Sequence, residues 1–478
     1  MSDLVAGHKL TKQLDPGSLL WKIKHLLGVD RAIAFTVLAR AWSMSAGVVT
    51  LLLIARYVSP IEQGYYYTFL SLVALQIFFE LGFCLVILQM ASHERALLTI
   101  TEDGDVQGDS VAHARLASVF QTALRWYSVV SLLMACTLIP AGFRFFVTSQ
   151  HHSQVVSGWR LPWCVLVIAA SLNLMVDPIF SFLEGCGLIA QVARMRLGQG
   201  MLGTTLAWCA ILSHHPLFGP PGTLCGMVIF GSFWLFRKRK LLLHLARFDV
   251  GSNIVSWGRE IWPFQWRIAV SWLGGYFIFQ ILNPVLFMFQ GPVIAGKMGM
   301  SLTVANALGT VALAWMNTKA SPFGTLVAQR RFDELDRVFF RTMKQSVGLL
   351  VISCGAVFGV FLASGYLAPK FASRVLPPWA LALLLLTSVM NHIVFCEAVY
   401  LRAHKAEPFL ISGLIFSVLM GTGTYFLAKH SSVNAVVVWY FLALGLLSPC
   451  VATTIFQRKR RSWHTTRDSS SLPTPILQ

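Results

Sequence analysis

The sequence predicts an all-α polytopic membrane protein of about 12 transmembrane helices, in two six-helix bundles related by a parallel pseudo-repeat. Hydrophobic residues make up 56% of the 478 residues and charged residues only 12%, whereas soluble proteins carry about 25% charged residues. A Pro-x-x-x-Gly pattern joins two apolar stretches at Pro60 and Gly64 and returns at Pro292 and Gly296. This composition excludes a soluble signalling or nucleic-acid-binding protein.

Twelve apolar segments, each able to supply a span of about 20 residues, follow a polar and basic start. The fifth, sixth and eighth are the least secure as spans. The eighth carries Asn306 and Asn317 and is the least apolar, which suggests that it faces protein or a water-filled cavity. The segments are 34–58, 64–90, 116–142, 160–184, 193–213, 217–236, 266–290, 296–320, 343–364, 379–401, 407–428 and 434–456.

These segments define one bundle over 34–236 and a second over 266–456, joined by a basic connector over 237–265. Residues 1–33 form an N-terminal segment without the apolar stretch of a cleaved signal peptide. Its leucine pattern fits an amphipathic helix in the membrane surface and a solvated lead-in equally well. Residues 457–478 are basic and then rich in Ser and Pro, which predicts a disordered tail.

The distribution of Lys and Arg predicts the orientation. Of the 38 basic residues, 29 fall on the side that holds both termini and 7 on the opposite side, while Arg40 and Arg125 lie within spans. Because cytoplasmic loops carry the excess of positive charge, both termini are expected in the cytoplasm. The net charge of +18 has the same explanation.

A second pair of similar stretches supports the halving of the chain. FLEGCGLIAQVARMRL over 182–197 aligns with YLRAHKAEPFLISGLI over 400–415, and this register places Asn173 opposite Asn391. Six spans separate equivalent elements, so the two copies face the same way. Parallel repeats of this kind are a recurring plan of transporters, in which the substrate site lies between the halves.

Four charged residues lie inside predicted spans, where charge is costly and usually faces a bundle interior. They are Arg40, Glu80, Arg125 and Asp177. Their depths permit the pairs Glu80–Arg125 and Asp177–Arg40. Such pairs fit helix-locking ion bridges and a functional cavity about equally.

Other polar residues in the spans have simpler expected roles. Glu397 is close to the inner end of its span, which predicts an interfacial position, and His392 is expected to be a hydrogen-bonded structural residue. Trp159, Trp163 and Trp379 lie near span ends and are expected to be interface anchors.

The segment LLLIARYVSPIEQGYYYTFLSLVALQIFFELG resembles the opening hairpin of the polysaccharide-biosynthesis (Wzx-type) flippases, through Ala55-Arg56, Ser59-Pro60, Gly64 and Leu81-Gly82. Those flippases share a superfamily with the MATE exporters and the lipid II flippase. FGTLVAQRRFDELDRVFFRTMKQS likewise resembles the family's loop after the eighth span. Glu80 stands where many members have Asp, and the N-terminal extension is long.

The resemblance implies a bacterial inner-membrane protein that flips a polyprenyl-pyrophosphate-linked oligosaccharide to the outer leaflet. Its expected partners are this lipid-linked substrate, membrane lipids and the polysaccharide polymerase and export machinery, with no nucleic acid. Arg suits a pyrophosphate because its planar fork binds oxygens bidentately, and Glu80 or Asp177 is available for H⁺ or Na⁺ coupling. The candidate cavity residues are Arg40, Arg125, Asn173, Asn306 and Asn391.

Neither a cofactor nor a structural metal is expected, because the nine cysteines include no Cys-x-x-Cys and no zinc spacing. Two other functions stay open. An ion-coupled exporter of small cationic molecules would need a cavity rich in acids, whereas the charges in the spans balance. A membrane enzyme acting on the same lipid usually has a sizeable extramembrane loop, and the longest outer loop here is short.

Overall fold

The computed structural model describes residues 31–100, 106–149, 156–251, 255–256, 258, 261–404 and 406–469. The predicted interfacial helix of the N-terminal segment lies outside these residues. We name the two ends of the molecule outer and inner, following the orientation that the Lys and Arg distribution predicts.

The N-terminal half contains six long helices, which we number α1 to α6. The second is broken into two segments that meet at 46°. Their bounds are Arg31–Tyr57 (α1), Pro60–Glu80 with Phe83–Arg95 (α2), Ser110–Ser149 (α3), Arg160–Gly185 (α4), Ile189–Leu212 (α5) and Gly219–Arg237 (α6).

The C-terminal half contains six more. The first of these is also broken, and the last passes through a π-helical turn at Phe441–Leu447. Their bounds are Trp262–Phe279 with Leu282–Gln290 (α7), Pro292–Asn317 (α8), Phe332–Leu367 (α9), Pro378–Ala403 (α10), Leu410–His430 (α11) and Val433–Tyr440 with Ser448–Ser469 (α12).

The packing of the helices repeats from one half to the other. In the first half α1 packs on α5, α2 on α3 and α4, α3 on α4, α4 on α6, and α5 on α6. Each of these pairs has its counterpart six helices later, as in α7 on α11 and α8 on α10. The predicted two-bundle architecture with a parallel pseudo-repeat is therefore confirmed.

Most of the twelve helices suit a membrane. Ten helical segments in the described part of the chain are long and apolar enough to span a bilayer, and the bent pair of α2 makes eleven. Helix α5 is the one outside this set, and its predicted span was among the least secure. It carries Arg194 and Arg196 and packs between α1 and α6.

The connector contains a short amphipathic helix, Arg239–Arg247. Its own Leu241 and Leu245 side chains are buried. The Gln121 side chain of α3 donates hydrogen bonds to the carbonyl oxygens of Leu245 (3.1 Å) and Phe248 (2.8 Å). The connector is thus attached to the N-terminal half.

The predicted disorder of 457–478 is wrong as far as Ser469, because α12 continues through the basic tail. The Arg460 guanidinium donates to the Asp336 carboxylate of α9 (2.8 Å), and the Tyr400 hydroxyl of α10 donates to the other oxygen (2.8 Å). The Trp463 ring stacks on His404 at 3.9 Å. Ion pairing and ring stacking hold this segment, although its composition alone suggests disorder.

Two further features were not predicted. A two-stranded antiparallel hairpin pairs Leu98–Ile100 (β1) with Val106–Gly108 (β2) at the inner end. The expectation of interface anchors is wrong for Trp159 and Trp163, which are buried in an aromatic cluster. Proximity to a span end in the sequence did not distinguish these rings from the half-exposed Trp379.

Candidate functional site

The two halves meet most closely at the outer ends of α2 and α8. A Cβ added at Gly64 would overlap the carbonyl oxygen of Pro292, and one added at Gly296 would lie 2.9 Å from the Gly64 nitrogen. The buried Gln63 amide donates to the carbonyl oxygens of Gly296 (2.9 Å) and Arg374 (3.0 Å). Backbone contact without side chains between the helices is what paired small residues permit.

The local sequence fixes where α2 begins at this contact. Ser59 and Glu62 form a reciprocal capping box, with Pro60 in the first turn. Burial lowers the pKa of the nearby Arg374 guanidinium, and the charge of Glu62 opposes that shift. The outer contact therefore combines a fixed helix start with a partly desolvated cation.

Aromatic rings extend the same closure across the halves. Tyr65 of α2 and Phe146 of α3 both contact Phe287 of α7, with ring centroids 4.9 Å and 5.4 Å apart. Tyr65 also stacks on Phe146. The outer ends of the halves are thus sealed by backbone packing and by interlocked rings.

One face of α1 shows where this closure stops. Residues three and four apart share a face of a helix. On this face Ile54 and Val58 are buried against the other half, whereas no atom lies within 4 Å of a Cβ placed on Gly47. The face consists of Arg40, Met44, Gly47, Leu51, Ile54 and Val58, and it is exposed from Gly47 inward.

The corresponding face of α8 behaves in the same way. Gly296 and Gly299 are buried against α2, and the residues further inward are exposed. This face consists of Gly296, Gly299, Thr303, Asn306, Thr310 and Asn317. At 1.5 Å per residue, Arg40 lies about 27 Å inward from Val58 and Thr310 about 27 Å inward from Pro292. The two residues are therefore at similar depths.

Both faces are thus covered at their outer ends and exposed at their inner ends, and from this we infer a lateral opening between the halves, bounded by α1 and α8. Arg40 faces this opening from α1, and Asn306 and Thr310 face it from α8. Within the described residues no ion pair involves the Arg40 guanidinium. A fixed cation at this opening is available to an anionic ligand.

The seam between α2 and α7 remains closed at the same depth. A Cβ on Gly82 would overlap the side chain of Ile268, and Phe78 packs edge-on against Tyr276 at 5.6 Å. The break in α2 lies at this contact, where Leu81 and Gly82 both have left-handed backbone conformations. Glu80 lines a cavity of about 440 Å³ between the two broken helices.

Glu80 also belongs to an acidic cluster inside the N-terminal half. Its carboxyl lies beside the Cys84 thiol and within electrostatic range of Asp177. The Cys84 sulfur is 3.3 Å from the Tyr127 hydroxyl. Asn173 donates to the Asp177 carboxylate at 2.7 Å. Two carboxyl groups on different helices thus share one interior, which the sequence did not predict.

The predicted pairs Glu80–Arg125 and Asp177–Arg40 are absent from the ion pairs of the described residues. Arg125 is two residues before the buried Tyr127, so it projects from the opposite side of α3. It shares the face of Gln121, which binds the connector. The cation that acts on Asp177 is Arg196 of α5.

Asn306 and Asn391 are brought together in the C-terminal half, whereas Asn173 lies in the other half. They line a side pocket of about 230 Å³ between α7, α8, α10 and α12. No hydrogen bond of either amide side chain occurs within the described residues. The other polar and aromatic residues of its wall are Thr310, Thr387, Ser388, His392, Phe279, Phe395 and Tyr440.

Two further buried groups hold the C-terminal half together. His392 Nε2 lies 2.7 Å from the Ser346 hydroxyl, which donates to the Ala312 carbonyl, so the expected structural role fits the geometry. The interfacial position expected for Glu397 is wrong. Its side chain is 3% exposed and accepts a hydrogen bond from Thr453 at 2.9 Å. The position of Glu397 near the end of α10 predicted exposure at the interface, but helix α12 covers this side chain.

No family model and no curated protein matches this chain. Solved structures do match. An inward-facing multidrug resistance MATE transporter of the MOP superfamily has a TM-score of 0.57 and 16% identity, with 87% of this chain and 99% of that chain covered. MATE in a bent conformation has a TM-score of 0.54 and 14% identity, with 92% and 98% covered.

A further structure, MATE in complex with MaL6, has a TM-score of 0.50 and 15% identity over 92% of this chain and 99% of that chain. In these matches the likeness extends over nearly the full length of both chains, at low identity. The chain therefore has the two-bundle fold of the MATE transporters.

Proposed function

We propose that this protein flips a polyprenyl-pyrophosphate-linked oligosaccharide from the inner to the outer leaflet of a bacterial inner membrane. The observation that carries the proposal is the lateral opening between α1 and α8, with Arg40 on its wall. A lipid-linked cargo keeps its tail in the bilayer while its head group enters the protein, so it needs an opening at the side. A soluble cargo needs no opening at the side.

The chemistry of Arg40 suits the charged part of such a cargo. A guanidinium stays protonated at physiological pH and binds two phosphate oxygens at once. Within the described residues Arg40 is not neutralised by a carboxylate, so a pyrophosphate would find an uncompensated positive charge there. The sealed outer end and the open inner side together form one end-state of alternating access.

The acidic cluster supplies a route for energy coupling by H⁺ or Na⁺. Two nearby carboxyl groups repel each other when both are ionised, and a bound cation or proton relieves that repulsion. Glu80 adjoins the break of α2, which packs on Ile268 of α7 across the halves. Loading the cluster would thereby favour one arrangement of α2 against α7.

The second candidate is an ion-coupled exporter of small cationic molecules. Glu80 and its cavity between α2 and α7 favour it, as do the multidrug transporters that share the fold. The two candidates differ in the charge that meets the cargo: a cation at Arg40 for the flippase, and a carboxylate at Glu80 for the exporter.

Deletion of the gene in the native organism tests the proposal. We expect fully assembled lipid-linked repeat units to accumulate on the inner leaflet, with loss of surface polysaccharide. Arg40→Ala should fail to restore the polymer, whereas the exposed control Arg458→Ala should restore it. Unchanged glycolipids with altered drug tolerance would support the exporter. Unpolymerised repeat units on the outer leaflet would instead indicate that this protein is an enzyme, or that its deletion disables a polymerase partner.

A further inference from the structure

The side pocket of the C-terminal half has a chemistry unlike that of Arg40. None of its lining residues is Asp, Glu, Lys or Arg. Its histidine, His392, is hydrogen-bonded to Ser346, and the other titratable ring of its lining is the phenol of Tyr440. The pocket is therefore suited neither to a phosphate nor to a cation, and its ligand should be neutral.

The fold uses only part of the hydrogen-bonding capacity of the polar groups in this pocket. The hydroxyls of Thr310 and Ser388 donate to backbone carbonyls at 2.8 Å and 3.2 Å and keep their acceptor lone pairs. The amides of Asn306 and Asn391 have all their hydrogen-bonding capacity left within the described residues. Each amide offers two donor hydrogens and an accepting oxygen, and polar groups without partners are costly in apolar surroundings.

The aromatic rings and the volume of the pocket further restrict the kind of ligand that fits. Phe279 and Phe395 line the pocket, with centroids 6.1 Å apart. The electron-rich face of such a ring accepts the C–H groups of a sugar. At about 230 Å³ the pocket is below the 300–1,000 Å³ that is common for drug-sized ligands. One sugar ring, with hydroxyls for the amides and C–H groups for the rings, matches these features.

We propose that this side pocket binds a neutral sugar ring of the cargo, and this inference rests on the proposed function. The position supports it. Asn306 and Thr310 belong both to the pocket and to the α8 face of the opening, at the depth of Arg40 on α1. A pyrophosphate held at Arg40 would place the sugar that follows it at the rim of the pocket. The pocket would then determine which sugar the protein accepts.

The test uses the full-length protein in nanodiscs and four probes. These are farnesyl pyrophosphate and its conjugates with glucose, galactose and N-acetylglucosamine. We expect at least one conjugate to bind about five- to tenfold more tightly than farnesyl pyrophosphate. The double variant Asn306→Ala/Asn391→Ala should abolish that difference and leave the affinity for farnesyl pyrophosphate unchanged.

A second variant fills the pocket instead of removing its amides. A Cβ on Gly309 meets only the Ser388 hydroxyl, at 3.4 Å, so Gly309→Leu should fill the pocket without a backbone clash. It should abolish the same preference. The matched controls are Asn434→Ala, an exposed asparagine of α12 outside the pocket, and Gly348→Leu, where no atom lies within 4 Å of an added Cβ. Both should retain the preference.

The outcomes separate this inference from the proposed function. Equal binding of all four probes by the wild-type protein would overturn the sugar pocket and leave pyrophosphate recognition standing. Pocket variants that weaken all probes alike would also overturn it, because the pocket would then be structural. A wild-type protein that binds none of the probes would overturn the proposed function and the sugar pocket with it.

Discussion

Gly64 and Gly296, the glycines of the repeated Pro-x-x-x-Gly pattern, lie backbone against backbone at the outer end of the molecule. The pseudo-repeat explains why these two glycines meet. Equivalent residues of two parallel copies meet where their helices cross the axis between the halves. The pattern that marks the repeat in the sequence thus also forms the closure, and this contact must separate if the cavity is to face outward.

A bulky residue at Gly64 should open the outer end. Gly64→Leu cannot keep the backbone of α2 against Pro292, so the closed arrangement loses stability relative to the open one. In a cysteine-free background, Ile54→Cys is a reporter that is buried while the outer end is closed. We expect an impermeant maleimide, applied from the outer side, to label this cysteine at least about tenfold faster in the Leu variant.

The control is Gly348→Leu, which adds the same side chain where space is free. It should leave the labelling of Ile54→Cys as slow as in the parent. Fast labelling in the parent itself would show that the outer end is open in the membrane, contrary to the arrangement described.

The inner end of α12 should depend on its ion pair with α9. Arg460→Ala removes the guanidinium that donates to the Asp336 carboxylate, which is largely buried. Hydrogen bonds to charged groups contribute about 1.5–3 kcal/mol, so the thermal midpoint of the purified protein should fall by several degrees. The neighbouring exposed Arg458→Ala should not change it, and equal effects of the two variants would refute a specific role for the pair.

Thr453 should matter more than its neighbour Thr454. Thr453→Val removes a hydrogen bond from the buried Glu397 carboxylate and should lower the free energy of unfolding by about 1–3 kcal/mol. Thr454→Val removes only a bond to the carbonyl of its own helix. Denaturant unfolding of both variants measures the difference, and an equally small loss in both would mean that water satisfies Glu397.

Loss of charge in the acidic cluster should uncouple transport from the ion gradient. Glu80→Gln and Asp177→Asn keep the size of each side chain and remove the site that H⁺ or Na⁺ would neutralise. In proteoliposomes, we expect transport that no longer accelerates when a gradient is imposed. Glu334→Gln, which changes an exposed carboxylate at the start of α9, is the control. If transport by both cluster variants still depended on the gradient, Glu80 and Asp177 would be excluded from ion coupling.

The bundle architecture could be predicted from the sequence because it follows from apolar length and charge asymmetry. The closure at Gly64 and Gly296 left a sequence signal in the repeated motif, but only the structure shows that the two copies touch. The break at Leu81 and Gly82 had no separate signal. A single glycine is tolerated in a continuous span, and the packing of this turn against Ile268 of α7 leaves no mark in the local sequence.

The partners of the charged residues could not be predicted, for a geometric reason. The number of residues from the end of a span gives the depth of Arg40, Glu80 or Asp177 along its helix, but the direction of each side chain depends on how its helix is rotated. Arg125 illustrates this limit, since it shares the depth of Glu80 and points to the opposite side of α3. Asn306 and Asn391 were predicted as cavity residues, and the structure places them in one pocket while their contact with a cargo remains a prediction.

The most direct test of the proposed function is leaflet transfer in a purified system. A fluorescently labelled farnesyl-pyrophosphate-linked sugar is incorporated symmetrically into liposomes, and an impermeant quencher is added outside. With the wild-type protein, we predict that lipid of the inner leaflet becomes quenched as it crosses. Arg40→Ala should slow this transfer about tenfold or more, with Arg458→Ala as the control. Inner-leaflet lipid that stays protected in wild-type vesicles would contradict the account, and so would an Arg40→Ala variant that flips at the wild-type rate.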